Sequence, residues 1–213
     1  DDDFLIPRAL SASAQFLDAQ SEYSAITGKA LLFTVTGEGA HGNVASVGNY
    51  GQSGFPASSA AARLISCTQM PVNLTYCLRR TDVAQRIMTS LDDIAWPDDL
   101  FGYHFFEILD TFLLVVAGKV KMLETLLMVR QAHSTSTGAS ASGQHKAFRY
   151  ISHPRWPEFC KNMIGMLALG VANSDAIGYR EAEELAELAI SIKLGGTLRK
   201  QADAELAKRN MSN

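Results

Sequence analysis

Basic and aromatic residues alternate between Gln144 and Pro157, in the sequence QHKAFRYISHPRWP. Lysine and arginine neutralise phosphates and release bound counterions, and aromatic rings stack on unpaired bases. This combination is typical of surfaces that hold single-stranded nucleic acid without selecting its sequence. The opposing interpretation is a solvated face whose aromatic rings belong to the core. The predicted nucleic-acid contacts are Arg79, Arg80, Lys119, Lys121, Arg130, Lys146, Arg149, Tyr150, Arg155, Trp156 and Lys161.

The charge of the chain is unevenly distributed, although the formal net charge is only −3. Residues 1–62 contain six acidic side chains against two basic ones, whereas residues 119–161 contain seven basic side chains against two acidic ones. Such an asymmetry within one chain is more informative than the total charge. A polyanionic partner is therefore expected to bind the second of these segments.

Gly37, Gly39 and Gly42 follow the strongest predicted strand, Ala30 to Thr36, with the spacing of the dinucleotide-binding fingerprint. That fingerprint must open a helix whose N-terminus holds the pyrophosphate. Here the chain continues as GNVASVGNYGQSG, which is rich in glycine and poor in helix-forming residues. The pattern therefore predicts a hairpin turn, with Asn43 to Tyr50 returning as the second strand, and no bound cofactor.

His104, Glu107 and Asp110 are spaced three residues apart, so they lie close to one face of a helix. Carboxylates and histidines that point inward build di-metal sites in helical bundles, but these sites need the order Glu-x-x-His on at least two helices. This chain has the order His-x-x-Glu once. The favoured interpretation is a polar seam that is satisfied by an arginine or by another subunit. The alternative is a helical enzyme, or a protein that binds a small ligand or a metal, using these three side chains.

Four further side chains that can bind zinc are widely spaced: His133, His145, His153 and Cys160. Zinc sites usually contain a close pair of ligands, such as two cysteines separated by two residues, and no such pair is present. The sequence also lacks a phosphate-binding loop and the G-x-S-x-G motif of many hydrolases. We therefore predict no metal site, no cofactor and no enzymatic activity.

The stretch from Asp98 to His133 is the longest apolar segment, and the other elements must be arranged around it. Its apolar residues cover nearly the whole circumference of a helix, which is typical of a helix buried in protein or membrane. Charged residues such as Glu107 and Asp110 argue against a membrane span, which needs about 20 mostly apolar residues. We expect a central core helix that breaks or bends at Gly118, because glycine costs about 1 kcal/mol relative to alanine in a helix. A second helix is predicted from Lys119 to His133.

Apolar periodicity, with glycine or proline near the ends, predicts the remaining helices. They cover Ala60 to Cys67, Thr81 to Ile94, Glu158 to Ala172, and Tyr179 to Leu194, the last of them ending at Gly195 and Gly196. The predicted fold class is mainly α, with a small β-hairpin near the N-terminus and helical lobes around the central buried helix 98–133. The predicted organisation is an N-terminal arm (1–29), an N-terminal lobe (30–133) and a C-terminal helical lobe (144–213), joined by a Ser/Gly loop (134–143). The alternative is one single domain.

These features lead to the hypothesis of a non-enzymatic protein that self-assembles and coats RNA, of the nucleocapsid or coat-protein kind. A basic-aromatic groove between the lobes would hold the phosphates, and exchange of the N-terminal arm would link the subunits. The expected partners are further copies of the chain and RNA or another single-stranded nucleic acid, with no membrane span. The three cysteines form no disulfide framework, and the opening DDDFLIPR lacks a basic targeting segment. We therefore expect a reducing, cytoplasmic location or the virion. A protein–protein adaptor is a further alternative.

Overall fold

A five-stranded mixed sheet and six α-helices form the fold in the part of the chain that the structure, a computed structural model, describes. That part comprises residues 3–37, 41–70, 74–92, 94, 100–132 and 151–211, and the side chains of residues 100–104, 201 and 204–211 lie outside the description. The protein is 58% helix and 24% strand, so it has an α/β fold. The prediction of a mainly α fold with a small β-hairpin is wrong. The predicted hinge at 134–143 lies outside the described residues.

The strands of the sheet come from both halves of the described chain. They are β1 (Asp3–Leu5), β2 (Tyr23–Val35), β3 (Val44–Tyr50), β4 (Leu78–Arg79) and β5 (Lys119–Gln131). Their order is β1-β5-β2-β3, and β4 pairs with β2 near the beginning of that strand. The long central strands β2 and β5 run parallel to each other, whereas β1, β3 and β4 are antiparallel to their partners.

The helices follow the predicted pattern more closely than the strands do. They are α1 (Pro7–Ala19), α2 (Ala60–Gln69), α3 (Thr81–Asp92), α4 (Leu100–Ala117), α5 (Trp156–Asp175) and α6 (Tyr179–Met211), with a short 3₁₀ turn at Leu74–Tyr76. The predicted end of the last helix at Gly195 and Gly196 is wrong. Leu194 and Leu198, on either side of these glycines, both pack against the core, and their burial favours continuation of the helix.

The predicted central helix 98–133 is correct only in its first half. Helix α4 ends at Ala117, and Gly118 ends it as expected, but residues 119–131 form strand β5 and not a second helix. A Cβ atom on Gly118 would lie 2.9 Å from the Cβ of Ser24, so the glycine lets the chain pass close to the start of β2. The parallel pairing with β2, which runs from Tyr23 to Phe33, outweighs the helical apolar spacing of this segment.

The hydrophobic core lies between the sheet and the helices α2 to α6, with α4 at its centre. Phe105, Leu109 and Phe112 of α4 are buried, as expected for a helix that is apolar on most sides. Burial of a large apolar side chain contributes about 1.5–3 kcal/mol. The expectation that α4 is a core helix is therefore confirmed for its described side chains.

One buried arginine joins helices α2 and α4. The Arg63 side chain of α2 is 4% exposed, and its Nε and Nη2 donate to the carbonyls of Val115 and Val116 at 2.6 and 3.0 Å. Its Nη1 donates to the carbonyls of Ala57 and Ser58 at 2.9 and 2.7 Å. The last carbonyls of α4 have no partner within their own helix, so the guanidinium caps this helix. Burial lowers the pKa of Arg63, although nearby Asp175 acts in the opposite direction.

Asp175, the last residue of α5, caps the other helix at this junction. Its carboxylate accepts from the backbone N–H groups of Ala60 and Ala61 at 2.6 and 2.9 Å and from the Ser59 hydroxyl at 2.9 Å. Partial burial acts to raise the pKa of Asp175, but these hydrogen bonds and the charge of Arg63 outweigh it and hold the pKa below its ordinary value. A carboxylate is also favoured at the positive end of the α2 dipole.

Substitution of Arg63 by lysine should lower the free energy of unfolding by about 3–5 kcal/mol, because an ammonium group cannot replace the four-bond fork and leaves carbonyls buried without donors. Urea denaturation followed by circular dichroism measures the change. The matched control is Arg86→Lys on α3, whose guanidinium is exposed and 3.3 Å from Asp82, and which should cost less than about 0.5 kcal/mol. Equal effects of the two variants would contradict the capping role of Arg63.

Substitution of Asp175 by asparagine should cost about 1–2 kcal/mol at pH 7, the usual range for loss of a helix cap. Because the pKa of Asp175 is lowered in the fold, its contribution is present above the ordinary pKa and is lost as the pH falls through the folded value. The difference between variant and wild type should therefore shrink between pH 7 and pH 2. Unfolding titrations at both pH values measure it, with the exposed Glu184→Gln as control. A difference that stays constant with pH would exclude the charged form as the cap.

Candidate nucleic-acid interface

Two lysines and two aromatic rings form a cluster on one side of the sheet, which we call the basic-aromatic patch: Phe16, Tyr23, Lys119 and Lys121. The Phe16 and Tyr23 rings meet edge to face with their centroids 5.0 Å apart. The Lys119 Nζ lies 5.7 Å from the centroid of the Tyr23 ring, and the Lys121 Nζ lies 6.0 Å from that of Phe16. All four residues are partly exposed, so both the cations and the rings can contact a ligand.

The parallel pairing of β2 and β5 brings these residues together from distant parts of the sequence. Tyr23 is in register with Lys119 at the start of the two strands, and Lys121 follows two residues later on β5. Because alternate residues of a strand point to the same face, the spacing Lys-x-Lys places both cations on one side. Helix α1 adds Phe16, and its C-terminal end is held by Arg80, whose guanidinium donates to the carbonyls of Leu17, Gln20 and Tyr23.

The lysines of the patch have no close carboxylate among the residues that the structure describes. Among the described residues, neither Lys119 nor Lys121 forms an ion pair, whereas the neighbouring Lys29 on β2 lies 2.9 Å from Glu124. Lys121 has a weaker, longer-range interaction with the same glutamate. Exposed Asp18 and Glu22 are close in sequence to the two rings, and their charge limits the positive potential. The patch can therefore neutralise about two phosphates.

Two of the predicted contact arginines are held by acidic side chains of the same chain. Arg79 forms a two-bonded pair with Asp110, at 2.6 and 3.0 Å, and both side chains are largely buried. Burial acts to lower the pKa of Arg79, but hydrogen bonding to Asp110 outweighs it and raises the pKa. Arg130 lies 3.4 Å from Asp3 and is placed 5.7 and 5.1 Å from the ring centroids of Tyr50 and Tyr76. Both arginines, like Arg80, therefore stabilise contacts within the fold.

The predicted contacts on helix α5 lie apart from the patch. Trp156 packs on Phe105 near the beginning of α4, with 5.3 Å between ring centroids, whereas Lys119 follows the end of α4. The 12 residue-to-residue steps of helix from Phe105 to Ala117 separate the two places by about 18 Å along the helix axis. Arg155 precedes Trp156 and is exposed. Lys146, Arg149 and Tyr150 lie outside the described residues.

Lys161 borders a cavity of about 570 Å³ between helices α3, α4, α5 and α6. Its apolar lining includes Leu113, Met166 and Leu169, and its polar rim includes Glu183. Among the described residues that line this cavity, Lys161 is the only predicted contact. Lys161 is therefore not brought together with Lys119 and Lys121.

The alternative site at His104, Glu107 and Asp110 is only partly described. Asp110 is engaged by Arg79, which confirms for this residue the expectation that an arginine satisfies the seam. Glu107 is half-buried, and the His104 side chain lies outside the description. Within the described ranges, no group of three or more His, Cys, Asp or Glu side chains is arranged to hold a metal ion.

Comparisons with known proteins give no family for this chain. Neither the scan against protein-family models nor the search of curated proteins found a match. A membrane-crossing helix was also sought among the described residues, and none of the helices there is both long enough and apolar enough.

The sequence predicts both lysines of the patch as contacts but neither of the two rings. Phe16 and Tyr23 lie in the acidic N-terminal segment, about 100 residues from the lysines in sequence, and nothing local to them indicates a basic neighbour. One local pattern indicates that the lysines lie on a strand. It is the alternation Lys119-Val120-Lys121 directly after Gly118, which is typical of a strand with one charged face. The missed Arg63 carries a different signal, since it is a charged residue in the otherwise apolar and small-residue stretch AAARLISC.

Proposed function

We propose that this protein is a non-enzymatic RNA-binding protein of the nucleocapsid or coat-protein kind, which holds single-stranded nucleic acid on its basic-aromatic patch. The observation that carries the proposal is the pairing of each lysine with an aromatic ring at 5.7 and 6.0 Å, with no ion-paired carboxylate on either lysine among the described residues. Cations that bind phosphates beside rings that stack on bases are the two parts of a sequence-independent single-strand site.

The geometry supports binding at little cost to the fold. A lysine held over an exposed ring contributes only about 0.5–1 kcal/mol, so moving it to a phosphate loses little. The same movement exposes the ring face, on which a base can stack with a gain of about 1–3 kcal/mol. Lys119 and Lys121 would then hold neighbouring phosphates while Tyr23 and Phe16 contact bases.

This proposal replaces the predicted groove between two lobes by a smaller primary site. Arg79, Arg80 and Arg130 are engaged within the fold and are not included in it. Arg155, directly before α5, and Lys161 on α5 remain candidates for a second contact, which a longer strand could reach. Lys146, Arg149 and Tyr150 stay predictions.

Self-association is part of the proposed function, because a coat protein must contact its own copies. Exchange of the N-terminal arm stays a prediction: residues Asp3 to Leu5 pair with β5 of the same chain, and an exchanged arm would make the same pairs in a neighbour. A reducing compartment, or the assembled particle, is the location that accompanies this proposal. Cys67, Cys77 and Cys160 are free thiols in the fold, which is compatible with such a location.

The test is a titration of fluorescent oligo(U) with the wild type and with the double variant Lys119→Gln/Lys121→Gln, followed by fluorescence anisotropy at several salt concentrations. Loss of two phosphate contacts should weaken binding roughly 10-fold near 0.1 M salt and reduce the slope of log K against log salt by about 1.4. The change should leave the fold intact because both side chains are partly exposed.

The matched control is Lys29→Gln, which removes a lysine of the same sheet that is already paired with Glu124. It should leave the affinity and the salt slope unchanged. An unchanged titration of the double variant, or an equal loss in the control, would overturn the patch as the binding site.

A further inference from the structure

Within the described part of the chain, strand β3 is an edge strand without the usual protection against pairing with another chain. It pairs with β2 on one side, and no strand lies on its other side among the described residues. Its seven residues, VASVGNY, contain neither a charged residue nor proline. Exposed edges present unpaired N–H and C=O groups, and proteins normally block them with lysine, proline or a very short strand.

The opposite edge of the sheet is protected in the ways that β3 is not. Strand β1 is only three residues long, carries the charged Asp3 and is followed closely by Pro7. Each of these features discourages the addition of a strand. The contrast makes β3 the edge at which the sheet can be extended.

Exposed apolar side chains accompany the open edge. Val44 and Val47 of β3 are 62% and 61% exposed. Val47 is in register with Phe33 of β2, and strand alternation places Leu31 on the same face as Phe33. Leu31 is in register with Val129 of β5. An apolar strip thus runs across the sheet and ends at Val47 on the open edge.

We propose that β3 pairs antiparallel with β3 of a second copy of this chain, about a two-fold axis near Val47. The four-strand path β1-β5-β2-β3 of each copy would then join into one eight-strand path across the dimer. The free N–H and C=O groups of the edge can form hydrogen bonds with another strand, and the strand most directly suited to a two-fold arrangement is the same strand of another copy.

The sequence of β3 suits pairing with itself. Val47 is the middle residue of Val44–Tyr50, so a two-fold axis there sets Val47 against its own copy and Val44 against Tyr50. The strand has no charge, so two copies meet without like-charge repulsion. The apolar strips of the two sheets, each ending at Val47, would become continuous. The inference depends on the strand edge alone and stands or fails separately from RNA binding.

The experiment measures the mass of the full chain by sedimentation equilibrium over a range of concentrations, for the wild type and for Val47→Lys. The wild type should form a dimer, and the variant should raise the dissociation constant of that dimer by about tenfold or more, because two like charges then lie opposite each other. The matched control is Leu188→Lys on α6, which alters a side chain that is 50% exposed on a different element and should leave the dimer unchanged.

Hydrogen exchange of the β3 amides provides the second measurement. In the wild type, the outward amides should be protected at concentrations that favour the dimer and should lose protection on dilution and in Val47→Lys, while the circular dichroism spectrum stays the same. A wild type that is monomeric at all concentrations would overturn the proposal. A dimer that persists in Val47→Lys would also overturn it. So would β3 amides whose protection does not depend on concentration, because such protection indicates that another segment of the same chain covers the strand.

Discussion

The parallel pairing of β2 with β5 is the constraint on which the rest of the structure depends. It joins residues 23–33 to residues 119–131, and parallel strands require a long crossover between them. Helices α2, α3 and α4 lie within that crossover, and they form much of the core on the way. The same pairing fixes where the edges of the sheet lie. It sets Tyr23 beside Lys119 at one end, and at the other it leaves β3 on the outside of β2.

One buried and two half-buried arginines hold this arrangement together. Arg63 caps the end of α4 immediately before β5 begins, Arg79 ties β4 to α4 through Asp110, and Arg80 fastens α1 beside the start of β2. Each guanidinium donates hydrogen bonds to two or more carbonyl or carboxylate oxygens. These positive charges are therefore committed to the fold, which explains why a count of basic residues overestimates the surface available to a polyanion.

The sequence predicted those features that depend on local pattern. The hairpin at 30–50 is confirmed by β2 and β3, and α2, α3 and α5 begin close to the expected residues, because glycine, proline and apolar spacing act within a few residues. Strand β5 was mistaken for a helix, since its apolar spacing also fits a helix and only pairing with β2 decides between the two. The partners of Arg79 and Lys119 are 31 and 96 residues away, at Asp110 and Tyr23, and no local pattern in the sequence encodes such contacts.

The proposed binding of RNA beside Phe16 and Tyr23 can be tested by photo-crosslinking with an oligonucleotide that contains 4-thiouridine. Trypsin cleaves after Arg8 and Lys29 and places both rings in a single peptide, residues 9–29. If RNA binds there, mass spectrometry should find the nucleotide adduct on this peptide, and a salt concentration that releases the RNA should abolish the adduct. Adducts confined to the peptide of residues 156–161, or the absence of any adduct at saturating RNA, would contradict it.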